Sequence, residues 1–256
     1  LDDAGAMKRA ELLQQGFGFR VAEAAEYVLI ASCVGHFLVP QAMKAFANLL
    51  RHFEVDYTLL PKEDCCTTPL LHQALTEQSG EELDLAELLA QNAWEENLRQ
   101  VRKVGASKII SFCLACHGTC NRFKGAVPEE VMWYPTFLAS LFRGGKLVLQ
   151  ADYYSGCAEV YYGRLCPSHP TDVDSPLSIL NQIEGLQLNE LDHQLCCTRS
   201  HELGALAASA KNSTVITTCI NCTVQLQQAL KERGDYRVVM LPQVVWAAVS
   251  EHASLD

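Results

Sequence analysis

The stretch Lys108-Ile-Ile-Ser-Phe-Cys-Leu-Ala-Cys116 joins a short apolar run to two cysteines in a CxxC spacing. The run predicts a buried β-strand that ends at Cys113, and the residues from Leu114 onward predict a helix. The same pattern recurs at Ser213-Thr-Val-Ile-Thr-Thr-Cys-Ile-Asn-Cys222. Free amide N–H groups of a first helical turn stabilise thiolates, so this pattern favours two sites of thiolate chemistry.

The cysteines around these stretches form two sets with the same order, C…CC…CxxC. The first set is Cys33, Cys65, Cys66, Cys113 and Cys116, and the second is Cys157, Cys196, Cys197, Cys219 and Cys222. Five thiols exceed the four that a zinc ion or a cubane iron–sulfur cluster needs. Adjacent cysteines in a strand would point to opposite faces, so each pair must lie in a turn or bind two different metal atoms. The repeated order therefore predicts two metal or iron–sulfur sites.

Strands and helices alternate along the chain, which predicts an α/β fold with parallel sheets. We expect two tandem cysteine-rich α/β repeats, pseudo-symmetric, each with a mostly parallel sheet flanked by helices. The predicted boundaries are 1–26 for an N-terminal helical extension, 27–145 for the first repeat and 146–256 for the second. Within the extension, apolar residues at helical spacing predict a helix over 8–25. Both cysteine sets fall at or just beyond the carboxyl ends of strands, where such folds bind ligands.

Composition and charge limit the classes of function. The chain has 256 residues, of which 49% are apolar, and it carries a formal net charge of −10. This composition indicates a globular core, and the charge argues against non-specific nucleic-acid binding. Residues 1–20 show no secretory signal and no apolar stretch is long enough to span a bilayer. We therefore expect a cytoplasmic protein, associated with a membrane only through a partner, whose cysteines are thiolates rather than disulfides.

Simpler explanations of the cysteines remain open. A zinc-stabilised scaffold would use the CxxC motifs, and a thioredoxin-like dithiol would use one of them, but neither explains the adjacent pairs. Buried structural cysteines could account for one or two thiols. Cys120, one helical turn after Cys116, is interpreted as a spare thiol, and Cys166 as part of a loop.

No catalytic side chain is identified by the sequence. Three candidates for a role with a substrate lie near the cysteines: Arg199 as an anion-binding group, and His201 and His117 as proton donors. An ordinary surface or capping position is the favoured interpretation of each.

The doubled order, Cys33-x31-CC…CxxC followed by Cys157-x38-CC…CxxC, resembles the cysteine-rich CCG repeat. Two such repeats in one chain are similar to the B subunit of heterodisulfide reductase and its bacterial, HdrB-like relatives. Further similarity is seen in Ala86-Glu-Leu-Leu-Ala-Gln-Asn-Ala93, Tyr154-Ser-Gly-Cys157 and Leu241-Pro-Gln-Val-Val245. The resemblance extends from about Tyr27 to Ser250.

The resemblance implies a function as well as a fold. Each set of five cysteines would hold one non-cubane [4Fe–4S] cluster, and a disulfide or other sulfur-containing substrate would react there. Electrons would pass through a ferredoxin-like subunit of the HdrC type and a flavoprotein of the HdrA type. An alternative is an electron-transfer subunit of a quinone-linked dehydrogenase of the succinate/fumarate type.

The chain also departs from the family's repeat. Thr67 and Thr198 follow the two pairs, where the repeat commonly has glycine. Only 21 residues separate Cys197 from Cys219, whereas 46 separate Cys66 from Cys113. An additional N-terminal helix precedes Cys33. These departures suit a bacterial relative better than the methanogen enzyme.

Overall fold

A computed structural model describes residues 3–21, 24–60, 62–77, 80–125, 128–156, 166, 171–250 and 255. The described chain divides into two compact units. Unit 1 takes its residues from 1–36, 54–134 and 162–170, and unit 2 takes its residues from 37–53, 135–161 and 171–256.

Unit 1 contains a four-stranded parallel sheet in the order β2-β1-β3-β4. Its strands are β1 Tyr27–Ile30, β2 Tyr57–Leu59, β3 Lys108–Ser111 and β4 Glu130–Trp133. The central strands β1 and β3 are almost wholly buried, as expected for parallel strands covered on both faces by helices.

Unit 2 repeats this topology, in the order β6-β5-β7-β8, again with every strand parallel. Its strands are β5 Gly145–Tyr154, β6 Ile183–Glu190, β7 Thr214–Thr217 and β8 Arg237–Met240. Strand β5 therefore corresponds to β1, β6 to β2, β7 to β3 and β8 to β4. This equivalence is the structural counterpart of the repeated cysteine order.

Eleven helices accompany the sheets in the described part of the chain. They are α1 Asp3–Phe17, α2 Gly35–Leu38, α3 Pro40–His52, α4 Thr68–Glu77, α5 Gly80–Lys103, α6 Leu114–Phe123, α7 Tyr134–Leu141, α8 Asp174–Asn181, α9 Ser200–Ser209, α10 Ile220–Leu230 and α11 Leu241–Val249. A 3-10 turn, Lys231–Arg233, follows α10. Helix α3 packs on α11 within unit 2, and the rings of His52 and Trp246 meet edge to face there.

The predicted fold class is confirmed: the chain is α/β, with two similar halves built on parallel four-stranded sheets. Several element predictions were wrong. Helix α1 ends at Phe17 rather than Ala25, because Gly18 takes a φ of 76° that stops a helix. Strand β4 and helices α4 and α7 were not predicted. The boundaries at residues 26 and 145 remain predictions about domains.

No helix in the described part of the chain is both long and apolar enough to cross a membrane.

Candidate functional site

The first cysteine set meets at the carboxyl edge of the sheet in unit 1. Cys33 follows β1, the adjacent pair follows β2, and Cys113 is the N-cap residue of α6. The Sγ atoms of Cys33 and Cys65 lie 3.6 Å apart, and those of Cys66 and Cys116 lie 3.4 Å apart. The two cysteines of the pair thus contact different partners, as a turn between strands and helices allows.

Hydrogen bonds among these thiols change their pKa values in opposite directions. The bond to Cys65 raises the pKa of Cys33, and burial and the nearby Glu63 carboxylate act the same way. The same bond, with a second one from Cys66, lowers the pKa of Cys65 to about 2. Cys65 is therefore the member of this pair that the surroundings favour as a thiolate, which is the form that binds metals.

The helix N-terminus has the predicted effect on Cys113. The Cys116 thiol and then the backbone N–H groups of Cys116 and Ala115 lower the pKa of Cys113 to about 7, against the effect of burial. Cys113 has extended backbone angles, φ −101° and ψ 134°, and its counterpart Cys219 has φ −117° and ψ 134°. Both CxxC motifs are therefore presented by the same strand-to-helix geometry.

Side chains from the neighbouring helices hold the loop of the first pair. Thr68 Oγ1 lies 3.1 Å from Cys66 Sγ, 3.0 Å from the Ala115 carbonyl oxygen and 2.6 Å from Thr119 Oγ1. Asn97 of α5 exchanges two hydrogen bonds with the backbone of Asp64, at 2.9 and 3.0 Å. The long helix α5 between β2 and β3 therefore braces the cysteine loop.

The second set has a similar arrangement in unit 2. Cys197 Sγ lies 3.2 Å from Cys222 Sγ, and Asn221 Nδ2 lies 3.6 Å from Cys197 Sγ. Hydrogen bonding to Cys197 and to Cys219, together with burial, raises the pKa of Cys222. Four of the five predicted cysteines of this set thus lie beyond the carboxyl ends of β6 and β7.

The fifth cysteine of the second set, Cys157, lies outside the described residues. Gly156, immediately before it, has a φ of 91°, and a Cβ built on Gly156 would lie 3.7 Å from Cys222 Sγ. The Thr218 hydroxyl donates to the Ser155 carbonyl oxygen at 3.0 Å. The backbone immediately before Cys157 therefore lies next to Cys222 of the second set.

The loop of the second pair has its own support. The backbone N–H of Cys196 donates to Glu202 Oε2 at 2.6 Å, and the Tyr154 hydroxyl donates to the Leu195 carbonyl oxygen at 2.6 Å. Cys196 Sγ also lies 3.0 Å from Thr198 Oγ1. Glu202 on α9 thus takes a bracing role comparable to that of Asn97 on α5.

The two cysteines outside the repeat are both buried. Burial raises the pKa of Cys120, on α6 one turn beyond Cys116. None of the eleven described cysteines forms a disulfide.

The three candidate substrate residues lie close to the cysteines in sequence but differ in environment. Arg199 forms an ion pair with Glu202, with Nη1 to Oε1 at 2.8 Å. His201 is exposed in the first turn of α9. His117 is buried in α6, where its Nε2 lies 3.0 Å from Asn121 Nδ2. Their roles with a substrate remain predictions.

Several site residues were missed by sequence reasoning. Arg9 and Asn97 carry no motif, and they approach the cysteine loops only through the tertiary fold. Glu63, Thr68 and Glu202 lie within six residues of a cysteine pair, and this proximity was the only local signal for them.

The described thiols approach each other in pairs, and no single point is surrounded by several of them. Within the described ranges, no three His, Cys, Asp or Glu side chains are placed to hold one ion. A tetrahedral zinc site requires four such ligands around one point. The described sulfurs instead lie in close pairs, an arrangement that can present ligands to several metal atoms.

Thr67 has a strained backbone at the position where the CCG repeat that the sequence resembles commonly has glycine. Its φ is 50°, its backbone N–H bonds to Cys65 Sγ, and its buried hydroxyl has no hydrogen-bond partner. Thr67→Gly keeps the N–H and removes the strain and the orphaned hydroxyl. We expect it to raise the free energy of unfolding of the metal-free chain by about 1 kcal/mol in urea titrations.

Thr198→Gly is the matched control. Thr198 does not have a positive φ, and its hydroxyl contacts Cys196 Sγ. We expect this variant to lose stability. Equal changes in both variants would show that the backbone of Thr67 is not strained.

Comparison with known proteins supports a cysteine-rich domain. Residues 27–121 match the family model described as "CCG: Cysteine-rich domain", a span that contains the whole first set. No curated protein matches the chain. Among solved structures, glutamate racemase from Aquifex pyrophilus is similar at 11% identity and a TM-score of 0.34, over 86% of this chain and 81% of that chain. At this level the similarity implies no shared chemistry.

Proposed function

We propose that this chain is an iron–sulfur subunit of a heterodisulfide reductase-like complex, and that it carries out redox chemistry on a disulfide or other sulfur-containing substrate. The observation that carries the proposal is the meeting of Cys33, Cys65, Cys66, Cys113 and Cys116 at one sheet edge, in close pairs. The match of residues 27–121 to the CCG family model supports the same proposal.

Two clusters would be held by the two sets. The first would use Cys33, Cys65, Cys66, Cys113 and Cys116, and the second Cys157, Cys196, Cys197, Cys219 and Cys222. When bound, non-cubane [4Fe–4S] clusters would supply one-electron transfers and an iron position for substrate sulfur. The chain supplies the thiolates, their spacing and the N–H groups at the start of α6 and α10.

Exposure distinguishes the two sets and suggests a division of labour. In the first set Cys65 is exposed, Cys33 and Cys66 are half-buried, and Cys113 and Cys116 are buried. Among the four described cysteines of the second set, Cys219 is half-buried and the other three are buried. A substrate must reach a cluster, while an electron can tunnel to one that a substrate cannot reach. We therefore propose that the substrate reacts at the first set, beside the exposed Cys65, and that the second set relays electrons.

A direct assay tests the proposal. The iron-reconstituted chain, kept anaerobic, is supplied with a reduced viologen dye and a panel of small disulfides. Each disulfide takes two electrons and two protons and gives two thiols. We expect dye oxidation and thiol release in a ratio of two dye molecules per disulfide cleaved, and a larger loss of this activity in Cys65→Ser than in Cys196→Ser.

The electron-transfer alternative has one observation in its favour, which is the burial of Cys196, Cys197 and Cys222 among the described cysteines of the second set. In that case the reduced chain would pass electrons to a quinone but would release no thiol from any disulfide. If the second set relays electrons, those electrons must come from another protein. Partners of the HdrC and HdrA types therefore belong to the first proposal.

A further inference from the structure

A buried arginine of the N-terminal helix reaches the first cysteine set. Arg9 of α1 has a side chain only 8% exposed, and that of its ion-pair partner Glu63 is 3% exposed. Arg9 Nη2 donates to Glu63 Oε2 at 3.1 Å and to the Ser32 carbonyl oxygen at 2.8 Å. Buried charges of this kind are costly unless they are paired and hydrogen-bonded.

The two residues that Arg9 contacts adjoin the two cysteines of one close pair. Ser32 immediately precedes Cys33, and Glu63 lies two residues before Cys65. Glu63 Oε2 also accepts a hydrogen bond from the backbone N–H of Ala31, at 2.8 Å. One guanidinium and one carboxylate thus tie together α1, the loop after β1 and the loop after β2.

Arg9 contacts the carbonyl group of Ser32, a residue with an unfavourable backbone conformation. Ser32 is buried and has a φ of 78°, in the left-handed region that residues other than glycine and asparagine rarely adopt. Its side chain also bonds to Cys113. A flip of the Ser32 peptide would remove its carbonyl from Arg9 and would change the direction in which Cys33 leaves the strand.

We propose that Arg9 is a positioning residue, which with Glu63 holds the Cys33 and Cys65 loops in register so that the two sulfurs face each other before any metal binds. The inference rests on the proposed function only for the identity of the group that these thiols bind. It gives the N-terminal helix a role, because α1 is the element that presents Arg9.

Thiol bridging in the metal-free full-length chain tests the proposal without iron. Dibromobimane loses two bromides to two neighbouring thiols, and peptide mass spectrometry identifies the bridged pair. The measured quantity is the ratio of Cys33–Cys65 bridges to Cys65–Cys66 bridges. Because Cys65–Cys66 neighbours are fixed by the sequence, this ratio reports the register of the two loops.

We expect Arg9→Met to lower the ratio about tenfold, which corresponds to about 1.4 kcal/mol. Arg9→Lys should restore most of it, because both contacts of Arg9 come from one nitrogen, which an ammonium group can replace. Arg99→Met, which alters an exposed arginine on α5, should leave the ratio unchanged. An unchanged ratio in Arg9→Met would overturn the proposal.

A folding control keeps the result interpretable. Cys120 is buried, so its alkylation by iodoacetamide reports loss of the fold of unit 1. If Arg9→Met exposes Cys120, Glu63→Gln decides the matter, since glutamine still accepts from Ala31 but cannot pair with Arg9 as a charge. The proposal requires a lowered ratio with Cys120 protected in Glu63→Gln. A ratio equal to that of the unmodified chain, or one that falls only together with exposure of Cys120, rejects it. Either outcome is independent of whether the chain binds iron–sulfur clusters.

Discussion

Replacing Cys66 by serine is expected to remove about half of the iron from the reconstituted chain, because one of two [4Fe–4S] clusters would lose a ligand. Cys66 Sγ lies 3.4 Å from Cys116 Sγ and 3.1 Å from Thr68 Oγ1, so it is at the centre of the first set. A serine hydroxyl is a poor replacement for a thiolate ligand of iron. Unit 2 should stay folded, since the change is confined to unit 1.

Cys120→Ser is the matched control for Cys66→Ser. Cys120 is buried one turn beyond Cys116, yet it lies outside the repeated order. Its replacement should leave the iron content intact, as should Cys166→Ser. Iron and acid-labile sulfide are measured on each variant after anaerobic reconstitution. Full iron in Cys66→Ser, or an equal loss in Cys120→Ser, would show that the ligand assignment is wrong.

Asp152→Ala should cause the largest loss of stability in unit 2. The carboxylate of Asp152, at 0% exposure, accepts hydrogen bonds from the backbone N–H groups of Lys211 and Asn212, at 2.8 and 2.7 Å. It also accepts from Asn189 Nδ2 at 2.6 Å and from Asn212 Nδ2 at 3.1 Å. These bonds tie β5 to β6 and to the turn before β7. Alanine would remove all four hydrogen bonds to this buried carboxylate and leave their part-buried donors without an acceptor, at a cost of about 4 kcal/mol.

Hydrogen exchange followed by mass spectrometry resolves this effect by unit. In Asp152→Ala, amide protection should fall in β5, β6 and β7 and persist in β1 and β3. Asp235→Ala, at an exposed position, is the control and should change stability by less than about 0.5 kcal/mol. A loss confined to a few amides near residue 152 would mean that Asp152 supports only its own strand.

Much of the fold could be predicted because buried parallel strands have an unambiguous pattern. The apolar runs at Lys108 and Ser213 each predicted a strand that the structure contains. Strand β4 was missed, since only Trp133 at its end is buried, whereas β3 and β7, which are equally short, are almost wholly buried. Its pairing with β3 depends on the fold around it rather than on its own sequence.

The candidate site could be predicted only in part, for a related reason. Cysteine order identifies the candidate thiols, because they recur in the same order after corresponding strands although the intervals differ. The residues that orient the thiols do not recur. Arg9 is 54 residues from its partner Glu63, and Asn97 is 33 residues from the Asp64 backbone it holds. In unit 2 the corresponding support comes from Glu202, only six residues from Cys196.

The two threonines after the pairs illustrate the limits of sequence comparison. Both stand where the CCG repeat that the sequence resembles commonly has glycine, yet of the two only Thr67 has a positive φ in the described structure. A glycine would relieve strain after the first pair, whereas Thr198 contacts Cys196 Sγ. The same substitution therefore has different physical consequences in the two halves.

Anaerobic quantification of iron and acid-labile sulfide, combined with Mössbauer spectroscopy, shows directly whether the two cysteine sets hold two iron–sulfur clusters. We expect about eight irons and about eight sulfides per chain. The iron sites within each cluster should be inequivalent, because five thiolates would share four irons. A colourless chain that holds zinc or no metal after anaerobic preparation would contradict it.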